Sequence, residues 1–226
     1  MLILAVDTTT QTGSVALLRD AALVEQSDMA PPAAHSARLL GTVDGLLARH
    51  GLSIRDVEAF AVAAGPGSFT GIRIGLSAVK ALAFASGRPV APVSSLEALA
   101  AKAAGPEAAL VAPIIDAKKG EVYAALFRAH AGGLKEIVAQ GAYAPAAFLD
   151  RLAGSESIVF VGSGVEAYDQ AVMNKLERRA VFSSAPPFIA AEVGRLGYER
   201  LSRGGGVAAD QVEPLYFRLS QAEEKR

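Results

Sequence analysis

Each half of this 226-residue chain opens on two strand-length apolar runs, and that repetition constrains the fold more than any other feature. Residues 2–7 (LILAVD) and 14–19 (SVALLR) are separated by a Thr/Gln/Gly segment rich in turn formers, which predicts a hairpin. Residues 110–116 (LVAPIID) and 121–127 (EVYAALF) repeat the pattern across an Ala-Lys-Lys-Gly turn. In both halves the first run ends in an aspartate, Asp7 and Asp116. After the first hairpin come a third strand at 22–27 and helical leucine spacing over 35–50, stopped by Gly51. A strand at 59–64, a helix over 69–85 and a strand at 89–93 follow, so the order is βββαβαβ. In the second half, a run at 136–139, a helix at 145–152, a strand at 158–161 and a further helix continue in the same order, and IVFVGSG echoes FAVAAGPG. These patterns predict a duplicated α/β unit, with mixed sheets flanked by helices. The expected lobes are 1–97 and 98–226, with the stretch from Gly204 a candidate to pack back on the first, and a ligand or partner site is expected near the cleft between them.

Composition narrows the function classes. With 51 % hydrophobic and 20 % charged residues the chain is core-forming rather than disordered, and much of the apolar share is alanine. No run of eighteen apolar residues and no basic leader precede the first strand, so neither a membrane span nor an export signal is expected. The absence of cysteine removes disulfides, thiolate nucleophiles and sulfur-ligated metals, and fits a reducing compartment, so the cytoplasm is the expected location. Net charge is -1, which provides no overall field for a phosphate backbone, and Lys175, Arg178 and Arg179 lack interleaved aromatics, reading as a solvated face. A nucleic-acid role would therefore be local or indirect.

The chemistry-bearing residues are few. His35, His50 and His130 have no HExxH spacing, and no G-x-S-x-G elbow is present, so neither a zinc site nor a Ser-His-Asp hydrolase is expected. The turn from Gly65 through Gly67 and Ser68 to Gly71 joins a strand to a long helix, where backbone N–H groups can face an anion. It matches neither a Walker A nor a G-x-G-x-x-G sequence, and the alternative is a tight turn with Ser68 or Thr70 as N-cap. Asp7 with Thr8 and Thr9 has the chemistry to hold hydrated Mg²⁺ beside phosphates, with an Asx-turn as the alternative there and at Asp116. In the helix over 69–85, Arg73, Ser77 and Lys80 form one narrow polar stripe, which predicts a second packing face. The preceding helix carries Gly41 and Gly45 among Arg38, Thr42 and Arg49. Glycine inside a helix costs about 1 kcal/mol against alanine, which a close helix approach would offset; the alternative is that these small residues only reflect an alanine- and glycine-rich composition.

Together, LILAVDTTTQTGSVALL, HSARLL, AAGPGSFTGIRIGLSAVKALAFA, PVSSLEALA, IDAKKGEVYAALF and EPLYFR resemble the TsaB (YeaZ) family over nearly the whole chain, and GPGSFTGIRIG is the most specific stretch. The resemblance implies the duplicated fold of actin, sugar kinases and heat-shock ATPases, with RNase H-like lobes. It implies a part in making threonylcarbamoyladenosine beside the tRNA anticodon, as a non-catalytic accessory subunit. The implied partners are a metal-dependent TsaD-like synthase, bound as a heterodimer and activated, and a TsaE-like ATPase; the chain alone is implied to homodimerise, and tRNA is met only indirectly. The two helices carrying Arg38, Gly41, Thr42, Gly45, Arg49, Arg73, Ser77 and Lys80 resemble the surface used. The synthase's paired metal-binding histidines fall here at Ser95 and Leu99, which rebuild no imidazole pair and put the family's glycoprotease-like label in doubt. No stably bound cofactor is implied, while ATP or ADP with Mg at a partner interface stays open. The competing readings are an ATPase or phosphotransferase using Asp7 and the glycine turn, and a metallopeptidase.

Overall fold

A computed structural model describes residues 1–10, 13–29, 35–105, 109–152, 154 and 156–218. They fall into two compact units, one of Met1–Ser95 with Phe188–Leu215 and one of Leu96–Pro187 with Tyr216–Arg226. In the first, β1 (Leu2–Asp7), β2 (Gly13–Arg19) and β3 (Ala22–Met29) form an antiparallel meander, and β4 (Ala59–Gly65) and β5 (Val90–Ser94) add in parallel. The sheet order is β3-β2-β1-β4-β5. Helices α1 (His35–Arg49) and α2 (Phe69–Ser86) cover one face, and a late helix, α6 (Ala190–Ser202), covers the other.

Side-chain size decides which helix lies on which face. Leu4, Val6, Leu17, Phe60 and Val62 meet Leu39, Val43 and Leu46 of α1 and Ile72, Leu76 and Val79 of α2 in one buried cluster. The opposite face is lined by small residues such as Ala61 and Ala91, and α6 lies against it through glycines. A Cβ on Gly197 would sit 2.5 Å from that of Ala61, and one on Gly194 would overlap the side chain of Leu18. With both faces covered, β1 and β4 are buried throughout, and apolar throughout except for Asp7 at the end of β1, rather than alternating. The start of α6 is capped from the sheet: the Ala190 amide donates to Ser14 Oγ (3.1 Å) and the Ala191 amide to Gln26 Oε1 (3.0 Å). This packing corrects the simple division at residue 97, because it returns Phe188–Leu215 to the first unit.

The second unit repeats the plan. Strands β6 (Leu110–Lys118), β7 (Glu121–His130) and β8 (Gly133–Tyr143) form the meander, and β9 (Ile158–Val161) and β10 (Ala180–Phe182) add in parallel in the order β8-β7-β6-β9-β10. Helix α3 (Ser95–Ala103) leads in, and α4 (Pro145–Leu149) and α5 (Val165–Leu176) pack Phe148, Leu149, Val172 and Leu176 onto Leu110, Ile114 and Leu126. The βββαβαβ order therefore occurs twice.

Glycines in the two environments respond oppositely to substitution. Gly197→Val overpacks the α6 seam and lowers stability by about 1–3 kcal/mol. Gly41→Ala, with no other atom within 4 Å of its new methyl, raises stability by about 0.5–1 kcal/mol through helix propensity. Urea unfolding of the two variants measures both, and equal signs would contradict the packing described.

Candidate functional site

The β1–β2 hairpin and the start of α2 form one connected polar cluster. Asp7 is fully buried, and its Oδ1 accepts the Thr9 amide (2.8 Å) and the Thr9 hydroxyl (2.6 Å), an Asx-turn closed on its own strand end. The Thr8 hydroxyl donates to the Gly71 carbonyl (2.7 Å), and the Ser68 amide donates to the Thr9 carbonyl (2.6 Å). Ser68 is the N-cap of α2 and its Oγ accepts the Gly71 amide at 3.2 Å. The Ser95 hydroxyl completes the cluster by donating to Thr9 Oγ1 (3.2 Å). Gly65, at φ +115° before Pro66, passes under the C-terminal segment, whose Leu215 amide donates to the Ala64 carbonyl (2.8 Å). Asp7, Thr8, Thr9, Gly67 and Ser68 are thus brought together, and Gly65 lies at the adjoining turn.

What fills the glycine turn is the chain itself. A Cβ on Gly67 would overlap the Thr9 carbonyl oxygen, one on Gly71 the Thr8 carbonyl oxygen, and one on Gly75 would lie 2.5 Å from Thr8 Oγ1. Two main-chain carbonyls therefore face the N-terminus of α2, where the peptide dipoles favour negative charge. The Ser68 amide, a donor that a phosphate would need, is already paired. This geometry does not fit the nucleotide phosphate that a fold of this kind suggests at a strand-to-helix glycine turn.

In the second unit Asp116 Oδ1 accepts the Lys118 amide (2.8 Å) and Oδ2 meets the Lys118 ammonium (2.7 Å), again an Asx-turn. Partial burial pushes the Asp116 carboxyl up, but the hydrogen bonds and charge of Lys118 outweigh it and hold the pKa below the usual range. Ser95 and Leu99 are both buried, one bonded to Thr9 and the other in apolar packing. Among the described residues no group of three or more His, Asp or Glu is placed to hold a metal ion.

The α1–α2 face is the other candidate surface. A groove of about 510 Å³ runs between the helices, lined by Leu39, Leu40, Phe69, Arg73, Ile74 and Ala78. Arg73 lies over the Phe69 ring at 3.7 Å, and Ser77 is exposed beside it. On α1, Arg38 and Gly41 are exposed, and Thr42 is half-buried with its hydroxyl donating to the Arg38 carbonyl (3.0 Å). Gly45 meets only the Arg49 side chain, at 3.6 Å from a built Cβ. Among the described residues no other helix approaches Gly41 or Gly45 closely, in contrast to the close approach expected from their spacing. Arg49 turns inward to Glu25 and Ser27 on β3, and Lys80 is half-buried with its ammonium donating to the Val212 carbonyl (3.0 Å). Two residues that sequence reasoning missed belong to the exposed face. Phe84 is 82 % exposed and Leu40 is 53 % exposed. The available signal was an aromatic at i+11 from Arg73 on the same stripe, hidden because only polar residues were counted along it.

Comparison with known proteins decides the family. The sequence is 33 % identical to the tRNA threonylcarbamoyladenosine biosynthesis protein TsaB of Bacillus subtilis, over 100 % of this chain and 97 % of that one. It is 32 % identical to the Escherichia coli TsaB over 100 % and 98 %. The chain belongs to the TsaB family. Residues 30–219 also match the wider family model described as TsaD, tRNA N6-adenosine threonylcarbamoyltransferase. The solved YeaZ structure from Pseudomonas aeruginosa superposes with a TM-score of 0.81 at 33 % identity, over 95 % of this chain and 99 % of that one. The ROK hexokinase of Thermus thermophilus, at 14 % identity and a TM-score of 0.52 over 89 % and 100 %, shares the fold alone.

The closure of the glycine turn is testable by coupling. Gly75→Ala and Thr8→Ala each destabilise, but the double variant loses at least about 0.5 kcal/mol less than their sum, because removing the hydroxyl makes room for the methyl. Gly67→Ala, which meets main chain, gains no such relief from Thr8→Ala. Strict additivity in urea unfolding of all five proteins would show that the contact does not exist.

Proposed function

We propose that this chain is the accessory subunit of tRNA threonylcarbamoyladenosine synthesis, catalytically inactive by itself, which binds and activates a TsaD-like synthase through the α1–α2 face. The observation that carries the reading is that face. It has a groove of about 510 Å³, an 82 % exposed Phe84, and two helix glycines that no other helix approaches among the described residues. Helix glycine costs about 1 kcal/mol at each position, and a partner helix approaching Gly41 and Gly45 offsets that cost. An apolar groove, with an exposed aromatic further along the same helix, has the character of an interface rather than a solvated surface. In the absence of the synthase the same face serves a homodimer, which hides the apolar surface. A TsaE-like ATPase joins the pair, tRNA is met only through the assembly, and the work is cytoplasmic.

The family relation supports a division of labour. The synthase's metal ligands correspond here to Ser95 and Leu99, a hydroxyl bonded to Thr9 and a buried aliphatic chain, and neither supplies an imidazole. The phosphotransferase alternative needs the glycine turn to accept phosphate, and the Thr8 and Thr9 main chain occupies that space. ATP or ADP with Mg then belongs at a partner interface.

Two measurements test this. In a reconstituted threonylcarbamoylation of unmodified tRNA, product should require this chain beside the synthase, ATPase and adenylate-forming enzyme, and equal product without it would reject the role. Phe84→Glu and Ser77→Glu should each weaken binding to the synthase subunit at least tenfold with the circular dichroism spectrum unchanged. Normal binding by both would remove α2 from the interface.

A further inference from the structure

Strand β3 is the outer strand of the first sheet, and its polar side chains alternate between the two faces. Gln26 reaches one face and caps α6, while Glu25 and Ser27 meet the end of α1 on the other. Arg49 donates from both Nε (2.9 Å) and Nη2 (2.6 Å) to Glu25 Oε1, and from Nη2 to Ser27 Oγ at 2.6 Å. His50, the residue after the helix, places Nε2 2.8 Å from Glu25 Oε2. One carboxylate thus gathers the last helical side chain and the first one beyond it. The hydrogen bonds from Arg49 and then His50 hold the Glu25 carboxyl below the usual carboxylate range.

An isolated surface ion pair contributes little, but a network in which one carboxylate serves several donors at these distances is the recognised exception. Its value here is directional. The apolar seam of Leu39, Val43, Leu46 and Leu47 attracts α1 to the sheet, yet non-directional contact resists rotation and sliding only weakly. Gly41 and Gly45 supply no side chain to lock the helix from its outer side. Hydrogen bonds from Arg49 and His50 to a fixed strand remove that freedom.

We infer that Glu25 is a positioning residue for partner binding, tying the C-terminal end of α1 to β3 through Arg49 and so setting the pitch at which the glycine-bearing face meets the synthase subunit. Arg49 then acts inside this chain and is not itself a contact to the partner. The inference rests on the α1–α2 face being the partner surface.

The test uses the full chain and purified TsaD-like synthase subunit, with affinity measured by calorimetry for wild type, Glu25→Gln, Arg49→Met, Arg49→Lys and the Glu25→Gln/Arg49→Met pair. Each single removal of the tie should weaken binding about three- to tenfold, and the double variant no further than either single. Arg49→Lys, which keeps the charge beside Glu25, should return part of the loss. Amide exchange should rise over 44–50 in Glu25→Gln and stay unchanged in α2 and α6, with the unfolding midpoint of the free chain within about 2 °C of wild type. Weakening by Arg49→Met with full affinity in Glu25→Gln would make Arg49 a direct partner contact and overturn the inference. Unchanged affinity in both would overturn it while leaving the partner face intact. If Glu25→Gln does not fold, Arg49→Met and Arg49→Lys read the same tie from the helix side, and unchanged affinity and exchange in both overturn it. A wild-type chain that binds no synthase overturns the functional reading and this inference together.

Discussion

The first unit turns on one close approach, the main chain of Thr8 and Thr9 lying on the first turns of α2. Only glycine admits it at 67 and 71, because a Cβ at either position would overlap a carbonyl oxygen. Gly71 and Gly75 lower helix propensity by about 1 kcal/mol each. Two hydrogen bonds, Thr8 Oγ1 to the Gly71 carbonyl and the Ser68 amide to the Thr9 carbonyl, return about 0.5–1.5 kcal/mol apiece. The balance is near neutral, so what the contact contributes is geometry. It fixes the start of α2 to the hairpin, and the 18-residue helix carries that constraint to Phe84 near its other end.

The same solution occurs in the second unit. The Gly164 amide donates to the Ile114 carbonyl (3.0 Å), and a Cβ on Gly162, at φ +110°, would overlap that oxygen. Duplication therefore extends beyond the order of strands and helices to the way a strand-to-helix turn is closed by main-chain carbonyls of the first hairpin of its own sheet. In each unit one turn amide, that of Ser68 and that of Gly164, serves the fold by bonding to the chain's own carbonyl. The two hairpins also share an Asx-turn, at Asp7 and at Asp116, although the second carboxylate is additionally paired with Lys118.

Elements with a strong period and a glycine stop were legible in the sequence, which is why βββαβαβ could be read in the first half and its echo in the second. The role of α6 was not legible, because its glycines at 194 and 197 acquire meaning only from Leu18, Ala61 and Ala91, which lie far away in the chain. Its caps were hidden for the same reason, since Ser14 and Gln26 come from strands and Ile189 at the N-cap has nothing to offer. The glycine turn was read as a place where backbone N–H groups can face an anion or as a capped tight turn, but a sequence does not distinguish a phosphate from the chain's own carbonyls as the visitor. Lys80 shares a helical stripe with Arg73 and Ser77, yet its long stem reaches the Val212 carbonyl.

The two sets of helix glycines in the first unit lead to a conclusion about assembly. At 71, 75, 194 and 197 the missing side chain is matched by an atom of the same chain at contact distance, so selection for folding alone accounts for glycine there. Among the described residues nothing outside α1's own backbone comes near a side chain added at 41, and at 45 only a flexible arginine does, so helix propensity favours alanine at both in the isolated chain. In a domain whose net stability is about 5–15 kcal/mol, two such positions on one helix face are a measurable sacrifice. They share that surface region with Leu40 and the groove beside Phe69, and Phe84 continues it along α2. On the proposal that the α1–α2 face binds a partner, a second surface within van der Waals reach of α1 is what would recover the stability forgone in the free chain.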